Sequence, residues 1–297
     1  MERPADRPGE RCLAVDIGGT KLAAGLVRRD GVVEVERRVP TPVTTDAEVV
    51  FEALSQLVVE LNDDRPGCCG VGCGGPMDLT AGKVSPLNIP AWRGFPLRER
   101  VEALTGLSVV LDNDAKALAL AEGWTGAAAG RPAYIAMVVS TGVGGGIVLD
   151  GRLLHGATGN AGHVGHVIVE PDGRACACGG RGCLEAEASG TAIAAITGRP
   201  PCDAGPEVVV RTGCLVGRAV ASVVSLLDLD LAVVGGSVAL GFGTPFFEAA
   251  NAELHARARL SYTTSARIVP STLGRSGPLV GAAALAWRSP YTEDTRP

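Results

Sequence analysis

An α/β protein with mixed sheets is predicted by three features of the 297-residue chain. Strand-like apolar runs alternate with stretches whose apolar residues recur at three- and four-residue steps. Two of the runs are paired around glycine turns: CLAVD at 12–16 and LAAGLV at 22–27 flank IGGTK, while YIAMVV at 134–139 is followed by STGVGGG and then IVL. Both read as strand–turn–strand hairpins. Their recurrence suggests a duplicated architecture with one phosphate-facing turn in each half. The third feature is LAVV at 231–234, a strand ending in Gly235-Gly236-Ser237 and followed by an Ala-rich helical tail.

The remaining elements follow in order. Helical periodicity covers 47–61, 97–104 and 115–124, then 186–196, 208–227, 245–258 and 279–287. The polar segment TGAAAGRP near 118–132 marks the boundary between a smaller domain, 1–118, completed by a C-terminal helix at 279–297, and a larger domain, 119–278. Residues 1–11 carry Pro4 and Pro8 and no apolar signal core, so they read as a short tail, as does polar 289–297; a cytoplasmic protein is expected. The formal charge is -5 and no Lys/Arg-rich run occurs, which argues against nucleic-acid binding. With 46% hydrophobic and 20% charged residues the composition is globular, and a membrane protein is not expected.

Several short motifs carry chemistry. In DIGGTK, glycines let backbone N–H groups face phosphate oxygens, Thr20 and Lys21 add donors, and Asp16 could hold hydrated magnesium; an ordinary tight turn is the competing reading. There is no Walker A loop, and the formal G-x-G-x-x-G match at 70–75 precedes Pro76 rather than a helix, so it is read as fortuitous. Cys176, Cys178 and Cys183 lie on a glycine-rich loop with His163 and His166 upstream as possible fourth ligands. That set suits a closed, structural zinc site, with three buried free thiols as the alternative. Cys68, Cys69 and Cys73, and likewise Cys12, Cys202 and Cys214, read as buried core residues. Asn113-Asp114 sits where a VVLD strand meets a helix; Asp114 is either a general base or a plain N-cap.

Taken together, DIGGTK at 16–21, Asn113-Asp114, STGVGGGI at 140–147, GNAGHVGH at 159–166, CACGGRGCLE at 176–185 and VVGGSV at 233–238 resemble, in order and spacing, the ROK family of bacterial sugar kinases and sugar-responsive repressors. The resemblance runs from about Leu13 to Trp287. It implies a two-domain actin-like ATPase fold, ribonuclease H-like and hexokinase-type, with an interdomain active-site cleft. It also implies ATP as phosphoryl donor, with polyphosphate as a possibility, together with magnesium, a structural zinc and a homodimer. By the same resemblance Asp114 is the base that takes the proton from a sugar 6-hydroxyl, and Asn113, Gly75, Asn88, His163, His166 and Glu185 face the sugar. Asp16, Gly18, Gly19, Thr20 and Lys21 form one phosphate loop; Thr141, Gly142, Gly144 and Gly145 form the second. Gly235 and Gly236 lie near adenosine, and His166, Cys176, Cys178 and Cys183 bind zinc. Two departures stand out. His163 replaces the usual glutamate, as in bacterial N-acetylmannosamine kinases, and the stretch between Gly190 and Val233 is short by roughly a helix. The resemblance therefore implies a hexose or amino-hexose 6-kinase; a sugar-sensing regulator is disfavoured because no helix-turn-helix precedes Asp16.

Overall fold

A computed structural model describes residues 10–288; the tails expected at 1–11 and 289–297, and the end of the helix expected at 279–297, lie largely outside the described residues. The chain divides into two compact units. Unit 1 takes the described residues up to Thr125, together with His155–Ala161 and those from Arg275 onward; unit 2 takes Gly126–Leu154 and Gly162–Gly274. The division differs from the expected 118/119 boundary because the helix there runs unbroken to Trp124, and 155–161 returns to unit 1.

Unit 1 begins with β1 (Arg11–Ile17) and β2 (Lys21–Arg28), antiparallel with Asp16 opposite Ala23, followed by β3 (Val33–Pro40). Next come α1 (Ala47–Asn62), β4 (Cys68–Cys73), the small hairpin β5 (Met77–Asp78) and β6 (Lys83–Val84), α2 (Leu97–Thr105), β7 (Val109–Asn113) and α3 (Asp114–Trp124). The main sheet has the order β3-β2-β1-β4-β7, antiparallel on one side of β1 and parallel on the other. Side chains alternate across a strand, and β1 uses both faces. Leu13, Val15 and Ile17 join the core containing Val50, Leu54, Val58 and Leu61 of α1, which is started by the Asp46 side chain accepting from Glu48 N–H.

Unit 2 repeats this sheet. It contains β8 (Tyr134–Val139), β9 (Val143–Leu149), β10 (Arg152–Leu153), α4 (Leu184–Ala188), α5 (Gly190–Thr197), α6 (Pro206–Leu227), β11 (Leu231–Gly235), α7 (Ser237–Phe242), α8 (Thr244–Arg257) and β12 (Arg267–Pro270). The order β10-β9-β8-β11-β12 matches that of unit 1 strand for strand, again antiparallel then parallel. α6 is long and apolar enough to cross a bilayer, yet Val216, Ala219, Val220 and Val224 on it are buried in the unit 2 core with Phe246, Ala250 and Leu254 of α8.

Two expectations are corrected here. The helix read at 186–196 is two helices, broken at Ser189, whose extended backbone places its side chain as acceptor for Ala192 N–H. The second hairpin turn is Ser140–Gly142 alone; Gly144, Gly145 and Gly146 lie inside β9.

The final helix, α9 (Gly277–Arg288), closes unit 1. Ala282, Ala283 and Ala286 pack on the second face of the sheet, against Cys12, Ala14 and Ala23. The contact is so close that a Cβ on Gly70 would lie 1.8 Å from the Ala282 carbonyl oxygen. Helix packing, not a dinucleotide, therefore accounts for Gly70 in β4.

Candidate active site and metal centre

In unit 1 the ends of the central strand β1 and of the edge strand β7 supply the chemistry. β7 ends at Asn113, whose Oδ1 accepts from Ala115 N–H at 3.0 Å and from Lys116 N–H at 3.4 Å. Asn113 is thus the N-cap, and Asp114 is the first residue of α3. Asp114 Oδ1 accepts from Ala115 N–H at 2.8 Å, and the side chain is half-buried. Burial holds its carboxyl above the usual carboxylate range, opposed in part by that N–H.

Asp16 stands near the end of β1, 7% exposed. Its carboxyl is pushed up to about 7 by burial first and then by the charge of Asp114, with Lys21 and Arg38 pulling the other way. The Asp114 charge adds to the cost of ionising Asp16, and a carboxylate oxygen is a ligand suited to a divalent cation.

The turn after Asp16 is held locally. Gly18 N–H donates to Lys21 O at 3.0 Å, Thr41 Oγ1 donates to Gly18 O at 2.6 Å, and Thr41 N–H donates to Thr20 O at 3.2 Å. A Cβ on Gly19 would lie 2.6 Å from Asn88 Cβ, and Asn88 Oδ1 would lie 3.3 Å from one on Gly74. The structure thus brings Asn88 against both the first turn and the Gly74-Gly75 turn. Thr41 has no motif around it, so its role was not legible in the sequence.

Unit 2 builds its turn from more distant parts. Ser140 N–H donates to Gly142 O at 2.9 Å, and Glu185 Oε2, on the second residue of α4, accepts from Val143 N–H at 2.9 Å. The break at Ser189 lets the start of α5 reach the same turn: Gly190 N–H donates to Ser140 O at 2.7 Å, and Thr191 Oγ1 donates to Thr141 O at 3.0 Å. Beside it lies a cavity of about 650 Å³ lined by Thr141, Thr191, Cys202, Ser237, Val238 and Phe242 among others. Cys202 is exposed there rather than in the core, on the short 201–203 turn. Cys12, Cys69 and Cys73 are buried, whereas Cys68 and Cys214 are half-buried.

The glycines of the motifs divide by role. Gly145 is buried, and a Cβ on it would meet Val164 Cγ1 at 2.8 Å, so glycine there lets the 162–165 segment pack closely. Gly144 is likewise a strand residue. Gly236 has φ +98°, and a Cβ would lie 2.3 Å from Val139 O, which ties the end of β11 to that of β8. Gly235 closes β11.

His166 and the three loop cysteines converge, their ligand atoms all within 4.8 Å of one another. Cys176 Sγ is 3.8 Å from His166 Nδ1, and Cys178 Sγ is 3.8 Å from Cys183 Sγ. Tetrahedral Zn–S bonds of about 2.3 Å require sulfurs roughly 3.8 Å apart, so the donor set fits zinc in size and softness. Burial and the neighbouring cysteines push Cys183 up to about 12, while the Gly180 N–H lowers Cys178. His163 stands outside the cluster, exposed, its ring centroid 6.0 Å from that of His166.

Residues 12–289 match the ROK family. The chain belongs to the ROK family. It is 40% identical over 246 residues to an N-acetylmannosamine kinase of Citrobacter koseri, covering 78% of this chain and 84% of that one. Among solved structures, the ROK hexokinase of Thermus thermophilus is 35% identical with a TM-score of 0.80, over 93% of this chain and 98% of its own. A ROK glucokinase of Streptomyces griseus, in complex with glucose and AMPPNP, is 30% identical with a TM-score of 0.83, over 94% and 100%. This ROK chain has the actin-like two-domain ATPase fold of those enzymes, which explains the repeated sheet order.

Proposed function

We propose that this protein is an ATP-dependent sugar kinase acting on the 6-hydroxyl of a hexose or amino-hexose. The observation that carries the reading is Asp114, a carboxylate fixed at the first position of α3 behind the Asn113 cap, in the same unit as the Asp16 turn. Likeness to kinases of named activity supports catalysis over sugar sensing alone.

In this reading Asn113, Asn88, Gly75, Glu185, His166 and His163 orient the sugar, and Asp114 accepts the proton of its 6-hydroxyl. The hydroxyl oxygen bonds to the γ-phosphorus of ATP as the bond to the β–γ bridging oxygen breaks, and ADP leaves. Such a transfer needs positioning and charge stabilisation more than covalent help. The backbone N–H groups around Gly18–Lys21 and Thr141–Gly142 face phosphate, and the cavity beside Thr191 and Ser237 suits the nucleoside. Asp16 would hold magnesium, which neutralises phosphate charge when bound. His166, Cys176, Cys178 and Cys183 would hold zinc, which fixes the loop preceding Glu185.

His163 in the place of the family's glutamate, with the likeness to an N-acetylmannosamine kinase, puts N-acetylmannosamine first and glucose second. A coupled ADP-release assay with glucose, mannose, N-acetylmannosamine, N-acetylglucosamine, glucosamine and 3-amino-3-deoxyglucose tests this. Stimulation by one of these sugars is expected. Absence of stimulation by any of them, in zinc-replete protein with ATP or polyphosphate, would refute the kinase reading.

A further inference from the structure

Two residues flanking the Asn113-Asp114 pair form a buried ion pair that the chemistry above does not use. Lys116 and Asp112 are each 1% exposed, and Lys116 Nζ lies 2.7 Å from Asp112 Oδ1. Asp112 Oδ1 also accepts from Asn113 N–H at 2.7 Å. One carboxylate oxygen thus holds the backbone on one side of Asp114 and the side chain on the other. Lys116 Nζ donates in addition to Gly159 O at 2.9 Å and stands 3.3 Å from His155 Nδ1, which is itself 3.6 Å from Asp112 Oδ2. Burial and the Lys116 charge push the His155 imidazole below its ordinary range, with Asp112 pulling the other way.

His155 and Gly159 belong to the 155–161 segment that unit 2's chain sends into unit 1, and two residues beyond it the sequence reaches His163. A lysine and an aspartate one helical turn apart on an exposed face contribute little. Buried, they lose their hydration and keep their place only through the contacts named above. The geometry is therefore specific: one ammonium ties the first turn of α3, which carries Asp114, to a strap arriving from elsewhere in the chain.

We infer that Lys116 and Asp112 are positioning residues for phosphoryl transfer, fixing the Asp114 carboxylate and fastening the 155–161 segment to the helix that bears it. The inference rests on the kinase reading with Asp114 as base.

The test compares wild type, K116M, K116Q and the double variant D112L/K116M with ATP and the best sugar of the panel. Each single variant leaves an uncompensated buried carboxylate and is expected to melt lower. The double variant removes both charges and is expected to fold. Its kcat should nevertheless fall about 10- to 100-fold with KM for ATP unchanged, the loss expected when a reacting group is misplaced by about an ångström. Amide exchange should rise in 155–161 and not in β8. A folded double variant with wild-type kcat, or a kcat loss no larger than its loss of folded protein, overturns the inference. So does failure of all three variants to fold, which assigns the pair to folding alone. Wild-type protein that phosphorylates no sugar refutes the kinase reading itself, a result distinct from wild-type turnover matched by the double variant.

Discussion

The two hairpin turns occupy the same place in two sheets of one strand order, yet they are held by different means. The first, Gly18–Lys21, is braced by its own hairpin and by Thr41, just beyond the neighbouring strand β3. It carries its own charges, Asp16 and Lys21. The second, Ser140–Gly142, carries none. It borrows a carboxylate from Glu185 on α4 and two contacts from the start of α5. α4 begins directly after Cys183, so the candidate metal ligands stand one residue from the helix that braces the second turn. Duplication of a sheet thus leaves the turns free to acquire unequal dependencies: the first follows local strand pairing, the second follows a loop that zinc would organise.

The largest expected effect separates the turns outright. Cys178→Ser should release zinc, lower the melting temperature and raise KM for sugar and ATP together, because Glu185 loses its anchor. Metal analysis with kinetics checks this; full zinc content and unchanged constants would break the link between loop and turn. Next, Glu185→Ala leaves the Val143 N–H without its carboxylate. A loss of about 1.5–3 kcal/mol is expected for a hydrogen bond to a charged group, seen as raised KM for sugar and ATP with zinc retained.

The first turn responds to pH instead. Asp16 has a folded-state value of about 7 against an ordinary 3.8, so ionisation opposes folding. Its favourable contribution is complete below about 3.8 and is lost as pH rises through about 7. In chelator, Asp16→Asn should therefore melt increasingly above wild type between pH 5 and pH 8; parallel curves would remove the coupling of Asp16 to its surroundings. The smallest effect belongs to Thr41→Val, which deletes one hydrogen bond to Gly18 O. About 1 kcal/mol or less is expected, with KM for ATP raised a few-fold and zinc content untouched.

Where the pattern is short-range the sequence was informative. The apolar–glycine–apolar runs announced β1–β2 and β8–β9, and the cysteine spacing announced a metal-ligating cluster with His163 or His166 as fourth ligand, because both depend on neighbours in the chain; the family resemblance pointed to His166. β3 was not legible: VEVERRVP mixes charges with valines on a strand whose one partner among the described residues is β2. Nor was β4, CCGVGC, whose Gly70 answers to the Ala282 backbone far away in sequence. Site residues failed for the same reason. Lys116 and Asp112 sit on different elements, a strand end and a helix start, and nothing in the sequence pairs them until β7, α3 and the 155–161 segment bury them together. Cys202 looks like core until the turn at 201–203 exposes it beside a cavity.

The central claim is that Asp114 is the base. The most direct measurement takes wild type and Asp114→Asn at equal zinc content and records sugar binding by calorimetry alongside ADP release. Sugar affinity within a few-fold of wild type is predicted, with kcat reduced by about 10²–10⁴-fold, the usual contribution of a general base. Turnover near that of wild type in the Asn variant would contradict the account.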